Sequence, residues 1–141
     1  MLASPEEVMR SVRERLGRGM KIVRVGDGLI FEHRNAAYFL AEVDLKAAKI
    51  SVPVTAEFRD HLEYDGDELI SHAMDELKPR LDIYAERGYR IREVEWQPAQ
   101  RVSSYDDRNI PVFVAFVERE LEDWDELFEE LIWLLDRLPQ R

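Results

Sequence analysis

Residues 110–118 read IPVFVAFVE, and the fold follows from how this stretch is read. Alternation puts Val112, Val114 and Phe116 on one side and Phe113, Ala115 and Val117 on the other, so both faces are apolar. A strand half open to water alternates apolar with polar residues; one apolar on both faces belongs inside a sheet and is covered above and below. A chain of 141 residues is the size of one domain, with few helices to spread over two faces. We therefore expect cover from elsewhere, in the form of a second copy of the chain.

Downstream of this strand the pattern turns helical. Asp123 and Glu126 form a capping box, acids crowd the first turn, and Trp124, Leu127, Phe128, Leu131, Leu134, Leu135 and Leu138 make the inward stripe. Trp133 falls on the opposite side of that helix. Upstream, the polar segment 99–109 connects to Tyr89–Trp96, a strand in which Ile91 is out of phase with Val94 and Trp96 and which therefore carries a bulge. Before it, Leu69, Ile70, Ala73, Met74, Leu77, Leu81, Tyr84 and Ala85 recur at helical spacing, with Gly88 to end the run and Pro79 to kink it.

The first half of the chain is a helix followed by strands. Ser4-Pro5-Glu6-Glu7 supplies an N-cap hydroxyl, a proline at the first helical position and a carboxylate three residues after the cap, so a helix runs from Pro5 to Leu16 and stops at Gly17. Lys21–Val25 is a strand, Gly26-Asp27-Gly28 a turn, and Leu29–His33 its continuation or hairpin partner. Ala36–Val43 and Ala48–Val54 follow, with Pro53 placed to face an edge or bulge. The expected fold is a single α+β domain over residues 1–141: helix, three-strand antiparallel meander, long helix, two-strand hairpin, C-terminal helix.

This order of elements resembles the type III secretion chaperones and the YbjN family. The resemblance is carried by the Pro5–Leu16 helix, the segments KIVRVGDGLIFEH, AAYFLAEV and AKISVPV, the helix ELISHAMDELKPRLDIYAERGY, the strands REVEW and PVFVAFVE, and the helix WDELFEELIWLL. It implies a small acidic homodimer that binds a client or partner protein and carries out no chemistry.

Composition narrows the function further. The net charge of -10 disfavours direct binding to nucleic acid or to anionic membranes and favours a basic partner. The chain has no cysteine, which excludes disulfides and thiolate chemistry and fits a cytoplasmic location, and its start holds no apolar run long enough for a signal or a membrane span.

Motifs for chemistry are weak. Gly26-Asp27-Gly28 has Phe31 where a dinucleotide loop needs its third glycine, and a strand follows it where that loop needs a helix. His33, His61 and His72 lack metal-ligand spacing, and Asp65, Asp67 and Glu68 lack the calcium-loop spacing and suit a helix start. No catalytic residue, metal site or cofactor is assigned. The candidate partner-binding residues are aromatic: Trp133, Tyr105 and Trp96. The expected function is a non-enzymatic homodimeric adaptor. The alternatives are an acidic partner of a basic nucleic-acid-binding or DNA-repair protein and, third, an enzyme with an acid–histidine pair in a deep pocket.

Overall fold

The computed structural model describes residues 4–17, 19–36, 38–57, 66–97, 101–103, 106–109 and 112–138. Ser4 Oγ accepts the Glu7 amide at 3.2 Å, and α1 (Pro5–Leu16) follows with Val8 and Val12 buried. The next two strands, β1 (Met20–Val25) and β2 (Gly28–His33), form a hairpin in which Val25 faces Gly28. A two-residue turn of this kind needs a left-handed residue, and Gly26 provides it at φ 60°. The segment read as continuation or hairpin partner is thus a partner, and the meander has four strands with β3 (Ala41–Asp44) and β4 (Lys49–Glu57).

The long helix α2 (Gly66–Glu86) passes through Pro79 as one element. Pro79 and Asp75 are both exposed, so the Asp75 carbonyl that loses its intrahelical partner faces water. After it come β5 (Arg90–Gln97), the short ribbon β6 (Arg101–Ser103) and β7 (Asp106–Asn109), then β8 (Val112–Glu120) and α3 (Trp124–Asp136). The six-stranded sheet has the order β1-β2-β3-β4-β8-β5, with every neighbouring pair antiparallel. The fold is α+β, as the pattern implies, and the polar 99–109 connection contains the β6–β7 ribbon.

The stretch 112–117 lies inside the sheet, between β4 and β5. Toward the helices, Phe113, Ala115 and Val117 join Leu29, Phe31, Ile50, Val52, Leu77, Leu127 and Leu131 in the main core. On the other face, Val114 and Phe116 form a second, smaller cluster with Tyr38 and Phe39. The rings of Tyr38 and Phe39 lie 6.1 and 6.3 Å from that of Phe116, and the Arg92 guanidinium sits 5.3 Å above it. The expectation that a second copy covers this face is therefore corrected: the chain covers it itself. The segment before β3, read from sequence as part of a strand beginning at Ala36, crosses the sheet with Tyr38 and Phe39 instead, and the ladder starts only at Ala41.

Two local irregularities also have physical causes. Pairing between β5 and β8 shifts between Ile91 and Glu93, which is the bulge read from the phase of Ile91. The β3–β4 ladder ends at Ser51, so Pro53, paired on its other side with Phe116, lies where β4 has a single strand neighbour and its missing donor breaks no second ladder.

Candidate functional site

The polar residue most deeply held in the core is one the sequence reading passed over. Glu130, on α3, is 2 % exposed. Arg87, just past the end of α2, meets it in a two-pronged contact, Nε at 2.9 Å from Oε1 and Nη2 at 2.7 Å from Oε2. The Tyr89 hydroxyl donates to Oε1 at 2.9 Å, and Arg119 at the end of β8 stands 3.4 Å away. Arg119 also reaches Glu126 at 3.2 Å and the Arg87 carbonyl at 3.3 Å. A buried carboxylate is tolerated when its oxygens are paired and hydrogen-bonded, and these are.

The arrangement perturbs its neighbours in consistent directions. Burial, then the negative charge of Glu130, pushes the Tyr89 hydroxyl well above its ordinary range, and the Glu130 hydrogen bond raises Arg87 further. The cluster ties the end of α2, the start of β5, the end of β8 and α3 together at one end of the sheet. Its signal in the sequence is a charged residue three after Leu127 and four before Leu134, on the flank of an apolar stripe.

Trp133 is brought against this cluster and does not point away from the fold, as its helical phase suggested. It is partly buried against the main core, edge-on to Tyr84 with centroids 5.1 Å apart. The guanidiniums of Arg87 and Arg137 stand 4.6 and 4.9 Å from its ring. Tyr84, near the C-terminal end of α2, meets its ring, and the exposed large apolar residue of α3 is Ile132, at 47 %. Trp96 lies opposite Phe113 at the far end of β5, seven residues and roughly 20 Å of strand from Tyr89. The fold thus does not gather Trp133 and Trp96 into one patch, and Tyr105 lies outside the described residues.

Apolar side chains are left uncovered on α2 and on the helix side of β5. Ile70 and Met74, one turn apart on α2, are 49 % and 38 % exposed, and Ile91 and Val94 on β5 are 55 % and 40 %. α2 lies over β4 and β8, and β5 is the next strand beyond β8. Among the described residues β5 has no strand on its outer side.

The residues weighed for chemistry are scattered. A shallow hollow of about 240 Å³ on the opposite face is lined by Glu42, Asp44, Lys49, Ser51, Arg92 and Glu118, with Ala47, and no histidine is in that lining. His33 ends β2, its Nδ1 accepting the Asn35 amide at 3.1 Å, and burial lowers its pKa. Asp67 and Glu68 occupy the first turn of α2, where the helix dipole favours acids, while His61 and Asp65 lie outside the described residues. Among the described residues no three histidine, aspartate or glutamate side chains gather to hold a metal, and no helix is long and apolar enough to cross a membrane. No family model, curated protein or solved structure matches this chain.

Proposed function

We propose that this chain is a non-enzymatic, homodimeric adaptor that binds a client or partner protein in the cytoplasm, in the manner its resemblance to secretion chaperones and the YbjN family implies. The observation that supports this reading is an apolar rim in two parts, Ile70 and Met74 one turn apart on α2 and Ile91 and Val94 on the helix side of β5, four large hydrophobic side chains between 38 % and 55 % exposed. Single exposed apolar residues are ordinary on a protein surface, whereas neighbouring ones support a contact surface.

The test joins mass and capture. Light scattering on the purified protein at micromolar concentration is expected to give twice the chain mass, and a monomer there removes the homodimer. Partners retained from native lysate are expected to be lost with Ile70→Lys combined with Met74→Lys, since both sites are open enough for lysine without unfolding. Equal retention by parent and variant removes the rim from the reading.

A second reading rests on the charge of -10, which suits a basic partner such as a nucleic-acid-binding or DNA-repair protein. Charge steers association more than it holds a complex, so capture that fades between low and moderate salt supports this version. Salt-insensitive capture supports the apolar rim.

A further inference from the structure

The outer edge of β5 is its own electrostatic complement. From Arg90 the strand reads Arg-Ile-Arg-Glu-Val-Glu: basic residues in the first half, acidic in the second, with one apolar residue in each. We propose that two copies of the chain join by antiparallel pairing of β5 with β5, about a two-fold axis between Arg92 and Glu93, to make one continuous sheet. This rests on the homodimer reading above and specifies its geometry.

In that register Arg90 faces Glu95 of the second copy, Ile91 faces Val94, and Arg92 faces Glu93. Each pair is then of opposite charge or wholly apolar, the combinations that stabilise cross-strand neighbours. The sides agree as well. Arg90 and Glu95 align with Glu118 and Val114, and Arg92 and Glu93 lie around Phe116, so the charges share the face that bears the Tyr38 cluster. Ile91 and Val94 align with Val117 and Ala115 on the helix side. The bulge between Ile91 and Glu93 falls at the axis, so the ladder is interrupted identically in both copies and resumes in phase on either side. A slip by one residue either way sets Glu93 or Arg92 opposite itself, which register selection rejects.

Four further observations favour a second copy here. Among the described residues β5 has no outer strand neighbour, and an unpaired edge is a template for another strand. The charged residues of its self-complementary segment, Arg90, Arg92, Glu93 and Glu95, sum to zero in a chain of net charge -10, so two copies meet there without local repulsion. The contrasting edge is β1, whose charged residues Lys21 and Arg24 are both basic and would oppose like with like. Arg90 and Arg92 already contact Glu118 at 3.3 Å and Glu93 at 3.4 Å, but their side chains are 66 % and 43 % exposed, and a guanidinium has donors for a second carboxylate.

Charge reversal tests this. Two variants are made, one carrying Arg90→Glu with Arg92→Glu, the other Glu93→Arg with Glu95→Arg, and circular dichroism melts check that each is folded. Each alone sets like charges opposite one another and is expected to dissociate at least tenfold more readily than the parent in analytical ultracentrifugation. An equimolar mixture restores every opposite pairing and is expected to recover the parent's dimer mass. If the folded variants each dimerise as the parent does, or if their mixture stays monomeric, the edge pairing is wrong while the homodimer stands. A monomeric parent overturns both.

Discussion

The Tyr89 hydroxyl donates to Glu130 Oε1 across 2.9 Å, joining the start of β5 to the middle of α3 inside the core. With Arg87 and Arg119 on the same carboxylate, one acidic side chain holds three segments that are distant in sequence.

Removing that carboxylate strands two guanidiniums and a hydroxyl. Glu130→Ala is expected to lower stability by roughly 3 kcal/mol in urea unfolding, the lower end for a broken buried pair because Arg87 keeps a third of its side chain in water. Glu130→Gln retains an acceptor for Tyr89 and is expected to lose less. An unchanged urea midpoint for Glu130→Ala would show the pair to be energetically idle.

The same contact predicts an alkaline limit. Burial and the Glu130 charge raise Tyr89 above its ordinary 10.0, and burial raises Tyr84 too, so the native state holds these protons more tightly than the unfolded chain. The stabilisation is complete below pH 10.0, the unfolded value, and is lost as pH climbs toward the raised native values. Thermal melts are expected to fall through that range. Tyr89→Phe is expected to flatten part of the fall while costing about 1 kcal/mol at neutral pH for the missing hydrogen bond.

His33 predicts the opposite limb. Burial, then the charge of Arg34, lowers its pKa below 6.5, so its neutral form, which accepts the Asn35 amide, is the one the fold prefers. That contribution is complete above pH 6.5 and is lost as pH falls through the lower native value. His33→Gln is expected to remove this share of the acid slope in melts taken between neutral and mildly acidic pH.

Trp133 gives a stability effect separable from any interface. Packed on Tyr84 and only partly buried, it is expected to cost about 2 kcal/mol when cut to alanine, less than the loss for a fully buried tryptophan. Sedimentation of Trp133→Ala is expected to give the parent's mass. A change in mass with stability intact would return this residue to an interface.

Phe116→Ala opens the face covered by Tyr38 and Phe39. At 6 % exposure, with both rings and Arg92 around it, its loss is expected to cost about 3 kcal/mol in chemical unfolding. Quenching of tyrosine fluorescence by iodide is expected to rise as Tyr38 becomes accessible.

Local chemistry made much of this fold legible before any coordinates. The Ser4 cap and Pro5 set the start of α1, and Asp123 sets that of α3 by accepting the Glu126 amide at 2.9 Å. The phase of Ile91 announced the bulge, and the two apolar faces of residues 112–117 announced an interior strand. Each of these depends on neighbours a few residues away, where spacing alone decides which groups meet.

What covers a surface depends on elements far along the chain, and spacing says nothing of that. A strand apolar on both faces needs shelter, but that Tyr38 and Phe39 supply it follows from how β2 is joined to β3 across the sheet. The outward phase of Trp133 on α3 became partial burial because Tyr84, Arg87 and Arg137 meet its ring, and Glu130 became the best-held polar group because Arg87, Tyr89 and Arg119 converge on it. The broken phase within β5 was plain from sequence, yet only the strand order placed β5 at the edge of the sheet, because hydrogen-bonded pairing between distant segments decides which strand is left with one neighbour.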